Sequence, residues 1–399
     1  MATKSATAKK KWHALITSIL VLALVACSNE PDKPNNKEDI VTISTIEQLI
    51  EFADSVNNGN SFSGKTVVLG TDIMLNDTTN WKSWDNNTSL KSWTPIGKNW
   101  NCFAGTFEGA MYEISGLYIN STEDYQGLFG CLGPSTLIKN VKVNASYIKG
   151  GSKVGGIAGV GSGGTVLNSS FEGIIIGNSY VGGIVGLSDN YNYNKILNSY
   201  FIGVITANSS VGGIIGDNQG NVFNCYSIGE IKGITNTGGI VGSNWGTVTN
   251  NYSIGTVSVE RYQCGGIVGL NRGNISNGYF AGSTNGDEDI GVVVGYNGGF
   301  IQGGTEYSIG TISNVYWDME VNSGKNGAGE ISTDADALNR VNIKGMTTDD
   351  MKSPYFVTTL NAFVDSVNIT QTNFTYSKWV LDTQGANQGY PVLEPFLAP

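Results

Sequence analysis

Histidine is all but missing. Of 399 residues one is histidine, His13, and it falls in an N-terminal stretch with the marks of a signal. The rest of the chain therefore has no imidazole for a Ser-His-Asp or Cys-His mechanism, and none of the pair that an H-E-x-x-H zinc site needs. Carboxylate chemistry and a Lys, Arg or Tyr base stay open. Basic residues are also few, 23 against 33 acidic; residues 1–26 hold four of the 23 and no acid, which leaves the remainder at a formal charge of −14. That balance argues against nucleic acid as a partner, since phosphate binding needs clustered Lys and Arg. No apolar run reaches the roughly 20 residues of a membrane-spanning helix.

Residues 1–26 carry Lys4, Lys9, Lys10 and Lys11, then an uncharged, mostly apolar run from Ala14 to Ala26 that ends at Cys27. A basic head and a short greasy middle make a secretory signal peptide. Its end resembles a bacterial lipoprotein signal, in which a cysteine behind a small residue becomes the lipidated first residue. The expectation is a lipid anchor on Cys27, with the membrane a partner through that lipid. By the same likeness Ser28 favours the outer membrane, and Glu30 and Asp32 suit display at the cell surface. Residues 27–42, with "SNEPDKPNNKED", read as a disordered tether.

What fills the rest is repetition. A glycine-rich box recurs as "GLFG" at 127–130, "GGIAG" at 155–159, "GGIVG" at 182–186, "GGIIG" at 212–216, "GGIVG" at 238–242 and 265–269, and "GVVVG" at 291–295. A second box alternates with it, beginning at Asn168, Asn198, Asn224, Asn250, Asn277 and Asn314, at steps of 26 to 30 residues before a last step of 37. A fixed period of this size means one supersecondary unit per repeat, stacked on its neighbours. Within each unit Ile and Val occur in short runs bounded by Gly, Asn and Ser, which is the pattern of strands between tight turns. The fold class expected is therefore all-β: a parallel β-helix, or β-solenoid, of about 26–30-residue coils, with short helical caps at both ends.

These boxes resemble the GLUG-motif proteins, named for Gly-Leu-apolar-Gly. "ISTIEQLIEFADSVNNGNSFSGKTVVLGTDI" looks like that family's leader, and "GMTTDDM" with "GYPVLEPF" looks like its exit, so the likeness covers nearly all of 41–399. It implies a bacterial surface or secreted protein, adhesin-like in some members. Others carry these repeats beside a metallopeptidase domain, but no peptidase motif stands here, and the family offers no catalytic residues to carry over.

Stacking has consequences that can be written residue by residue. Val154, Val181, Val211, Thr237 and Cys264 should form one interior column, and Val166, Ile196, Val222, Val248 and Ile275 another. Asn168, Asn198, Asn224, Asn250 and Asn277 should form an amide ladder at a corner, while glycine is assigned to the bends, where it supplies positive φ and lets one coil approach the next. Residues 43–126 read as an N-terminal cap and first coils, 127–316 as the repeats, and 317–399 as a C-terminal cap or a small module. The first cap is an amphipathic helix with Ile46, Leu49, Ile50, Ala53 and Val56 inward. At the other end Thr347 to Asp350 offers a capping box, Pro354 interrupts a helix, and Trp379 with "YPVL" reads as extended. Cys102 and Cys131, 29 apart, fall about one coil apart and within disulfide reach. Cys225 and Cys264, 39 apart, do not, and read as buried thiols.

Function, where there is any beyond the scaffold, belongs on the turns. After the glycine boxes come "GDNQGN", "GSNWGT", "GLNRGN" and "GYNGGF", whose Asn-x-Gly fixes the bend and leaves Asp217, Trp245, Arg272 and Tyr296 as variable tips. With Tyr191 and Tyr193 they form the candidate ligand-binding edge, since aromatic faces beside polar groups suit a sugar ring or a peptide. The acidic stretches at Asp287, Glu288 and Asp289, and at Asp334 and Asp336, read as solvated loops rather than calcium sites. No catalytic residue, cofactor or metal ligand is assigned. The expected function is a non-catalytic surface lipoprotein that contacts glycans or host surface proteins. An envelope spacer without a ligand, or a polysaccharide-active β-helix enzyme, are the alternatives.

Overall fold

Glycine-bounded runs of β-branched residues cannot bury both faces alone, and each winding of this chain solves that by lying on the one before it. In the computed structural model, residues 40–396 are described apart from 86–88, 99, 190–193, 300, 303–304, 307–309, 332–340 and 370–373. They form a parallel β-solenoid of about ten turns. Cys27, the signal stretch, Tyr191, Tyr193, Asp334 and Asp336 lie outside the described residues.

One coil shows the plan. Strands Tyr200–Thr206, Ser209–Gly212, Ile215–Asn218 and Asn221–Phe223 follow one another. Each pairs in parallel with its equivalent a winding later, in registers that include Tyr200↔Tyr226, Val211↔Thr237, Ile215↔Val241 and Val222↔Val248. The interior columns follow. Val67, Phe107, Ile138, Val166, Ile196, Val222, Val248, Ile275 and Ile312 stack through nine windings, and all are buried. Val154, Val181, Val211, Thr237 and Cys264 make the second column and continue to Ile290. Ile214 donates its N–H to the carbonyl of Ile240 at 2.9 Å. Each fully buried Ile or Val contributes roughly 1.5–3 kcal/mol relative to exposure.

Of the two jobs expected of the box glycines, close approach of one coil to the next is the one they do. None of Gly183, Gly213 and Gly239 has a left-handed φ; a Cβ on each would instead run into the carbonyl oxygen of the glycine one winding on. The box is glycine because two backbones meet there. The left-handed bends fall to other residues: Asn168, Asn198, Asn224, Asn250 and Asn277 have φ of 49–62°, and Tyr180, Ser210, Asn236 and Gln263 have φ of 50–69°. Asparagine suits this region because its short amide hydrogen-bonds locally. The predicted amide ladder is present, with Nδ2 of Asn198, Asn224, Asn250 and Asn277 donating to Oδ1 of the preceding member at 3.1, 2.8, 2.8 and 2.7 Å. It starts one coil earlier than the sequence boxes show, at Asn140.

Pairing also extends past both ends of 127–316, from Ile40–Ile43, which pairs with Thr66–Leu69, to Val341–Met346. Residues 40–42, expected in the tether, thus belong to the first strand. Helix α1 (Ile46–Asn57) has Thr45 as N-cap, its hydroxyl accepting from the Gln48 N–H at 3.2 Å. It buries Leu49, Phe52, Ala53 and Val56, with the Phe52 ring 5.6 and 5.8 Å from those of Phe103 and Phe107. Ile50, expected inward, is exposed, because the buried stripe is centred one residue pair further round the helix.

The described residues of the C-terminal segment pack on the side of the windings. Helices α2 (Thr348–Met351) and α3 (Pro354–Asn368) and the antiparallel pair of Trp379–Val380 with Val392–Leu393 pack along one flank. Thr347 caps α2, and Pro354 begins α3 rather than interrupting it, at the first turn where its missing N–H costs nothing. They cover an outward column of tyrosines, Tyr200, Tyr226, Tyr252 and Tyr279, whose stacked rings are 4.8, 4.9 and 5.2 Å apart. Trp379 Nε1 donates to Asn250 Oδ1 at 2.6 Å, and Asn250 Nδ2 donates to the Ser377 carbonyl at 2.9 Å. Cys102 and Cys131 are disulfide-bonded, with Cα atoms 4.7 Å apart. Cys225 and Cys264 are buried free thiols, each pushed up to about 12 by burial.

Candidate functional site

One face of the solenoid is an eight-stranded parallel sheet whose strands include Val185–Ser188, Ile215–Asn218, Val241–Asn244, Val268–Asn271 and Val294–Asn297. Its turns are set by a second amide ladder. Asn218, Asn244 and Asn271 donate Nδ2 to Oδ1 of the next member at 2.8, 2.8 and 2.7 Å, and Asn297 donates to the Gly310 carbonyl at 3.1 Å. The Oδ1 atoms also accept from the N–H of Gly220, Gly246 and Gly273. All four asparagines are buried. The Asn-x-Gly spacing marks the bend in the sequence; the vertical amide chain was equally available there, as asparagine recurring at one phase.

This ladder fixes what each tip can do. Asp217, Ser243, Leu270 and Tyr296 share one column, just before the asparagine, whereas Trp245 and Arg272 occupy the position just after it. The four residues expected as one row are thus two adjacent columns, because a residue on either side of the fixed asparagine points differently. Asp217 is 8 % exposed and is no surface tip. Burial pushes its carboxyl up to about 7, against a 3.5 Å contact from Gln219 Nε2 and the charge of Arg272. Trp245 is 40 % exposed, and the half-buried Arg272 guanidinium lies 4.5 Å from its ring centroid. Tyr296 is half-buried. The edge therefore offers an exposed indole held flat by a cation–π contact, with a titratable buried carboxyl beside it.

The acidic loop at Asp287–Asp289 is exposed at Asp287 and Glu288. Asp289 shares a hydrogen bond with Glu330, whose carboxyl is raised by desolvation and by that neighbour. Among the described residues no three His, Cys, Asp or Glu side chains are grouped to hold a metal ion, and no helix is long and apolar enough to cross a membrane.

No family model matches the chain, and no solved structure matches it. Two curated proteins are similar. Halomucin of Haloquadratum walsbyi is 28 % identical over 194 residues, 47 % of this chain and 2 % of that protein. A Gly-rich membrane protein of Evansella cellulosilytica is 44 % identical over 57 residues, 14 % of this chain and 7 % of that protein. The chain spans only these small fractions of the relatives it matches.

Proposed function

We propose that this is a non-catalytic, GLUG-type solenoid anchored in the outer membrane through lipid on Cys27 and displayed at the cell surface, where it binds glycans or host surface proteins. The observation that carries the binding role is the exposed Trp245 ring with Arg272 stacked on it, on turns that the buried amide ladder holds rigid. A rigid, exposed aromatic face loses little entropy on contact and stacks on a sugar ring. The membrane placement draws on the lipoprotein-like signal and on the name of the Evansella relative.

A glycan and matrix-protein array with the chain from residue 28 tests the binding role. Trp245→Ala should lose binding to neutral glycans or matrix proteins on the array while keeping the β-rich circular dichroism. No binding by the wild type makes the protein a spacer, and unchanged binding by Trp245→Ala takes the binding role away from this edge. Release of reducing ends or unsaturated products from a polysaccharide panel makes it an enzyme. Metabolic fatty-acid labelling that survives Cys27→Ser overturns the anchor.

A further inference from the structure

Away from the Trp245 edge, a second tryptophan is held out into water with more constraint than a surface residue needs. Trp100 is 69 % exposed and has φ of +66°, a conformation that is unfavourable for a bulky side chain and persists only where the surroundings impose it. They do. Asn57, at the end of α1, accepts on Oδ1 from the N–H groups of Gly97 and Lys98, both at 2.8 Å. Its Nδ2 donates to the Pro95 carbonyl at 3.1 Å, and Asn101 Nδ2 donates to the Asn57 carbonyl at 2.7 Å. Two residues past the tryptophan, the Cys102–Cys131 disulfide pins the loop to the next coil.

The held indole has specific neighbours. Its ring centroid lies 5.2 Å from that of Tyr125, at 64° between planes. Lys153, one winding on, donates its ammonium to the Tyr125 hydroxyl at 2.7 Å, and among the described residues no carboxylate lies within ion-pair reach of it. An open aromatic face, a second ring at a steep angle, a phenol and an unneutralised cation thus meet at one corner. The aromatic face suits the C–H side of a pyranose, the phenol suits its hydroxyls, and the lone cation suits an anionic substituent.

We propose that the Trp100–Tyr125–Lys153 corner is a binding subsite for an acidic saccharide, one bearing carboxylate or sulfate, independent of the Trp245 edge and not resting on it. The test is titration of the full chain in detergent with polygalacturonate oligomers, dextran sulfate and neutral dextran, read by tryptophan fluorescence and calorimetry. Wild type should bind one of the two acidic probes at least about tenfold more tightly than neutral dextran, and which one distinguishes carboxylate from sulfate. Trp100→Ala should weaken that binding by about tenfold or more and remove the fluorescence change, and Lys153→Met should abolish the preference over dextran. Trp245→Ala should leave both intact. Because Trp100 is exposed, its removal should leave the circular dichroism unchanged; as a second handle that keeps the indole, Asn57→Ala should loosen the loop and weaken binding. No preference for either acidic probe, wild-type affinity in Trp100→Ala, or loss in Trp245→Ala alone would overturn the proposal.

Discussion

At the scale of single residues, the least ordinary group is the Asp217 carboxyl, buried on the sheet and raised to about 7 chiefly by burial. An aspartate in an unfolded chain titrates near 3.9, so between about pH 4 and 7 the folded chain holds a proton that the unfolded one has released. Stability should therefore fall as pH rises through this window, at up to about 1.4 kcal/mol per unit from this group. Asp217→Asn removes that slope, and at pH 8 the variant should exceed wild type by on the order of 1–3 kcal/mol. Denaturation at pH 4 and pH 8 measures it; parallel curves for the two proteins would show that the carboxyl is better solvated than its surroundings indicate. The same residue shows why the tips were only partly legible. The asparagine spacing fixes the turn, but whether a neighbour points outward depends on which side of that asparagine it stands, and glycine-rich turns carry no alternation to reveal it.

At the scale of elements, the amide ladders join one winding to the next. Asn250 has a left-handed φ of 62°, donates to Asn224 and to the Ser377 carbonyl, and accepts from Asn277 and from Trp379 Nε1. Asn250→Ala loses these bonds, leaves the Trp379 N–H buried without a partner and forces alanine into the left-handed region, a cost of about 2–4 kcal/mol. Asn250→Gly should cost less, since it keeps the backbone at ease. Asn168→Ala should also cost less than Asn250→Ala, since that residue is exposed and its partners can turn to water, so that the left-handed φ of 49° is the main cost left. Chemical denaturation should show the largest loss for Asn250→Ala; equal losses in the two alanine variants with none in Asn250→Gly would mean that the ladder acts only through the backbone. The columns and this ladder were readable because apolar and amide residues recur at one phase, and stacking turns phase into contact. Which of the two expected reasons holds at the box glycines was not, since close approach and positive φ ask for the same residue.

At the scale of the whole folded unit, contacts between residues far apart in sequence decide what the flank shows to solvent. The ledge of Tyr226, Tyr252 and Tyr279 is buried because Trp379, Phe356 and Tyr390 lie on it, with the Tyr279 hydroxyl donating to the Pro391 carbonyl at 2.6 Å. No periodicity announces this, because Asn250 and Trp379 are 129 residues apart and belong to different patterns. In a stacked repeat each winding draws its stability from its own core and its neighbours, and the ledge lies outside that core as a separate apolar cluster. Deleting residues 347–399 should thus leave the windings assembled, with β-rich circular dichroism retained, while baring a stacked aromatic strip. Such a strip is large enough to drive self-association. Sedimentation should then show concentration-dependent oligomers, and a dye for exposed apolar surface should bind the truncated chain and not the intact one. A truncated chain that loses its β signal would show instead that the flank segment is needed to hold the windings together, and a truncated monomer that binds no dye would mean that the tyrosines pack closely enough against one another to face water.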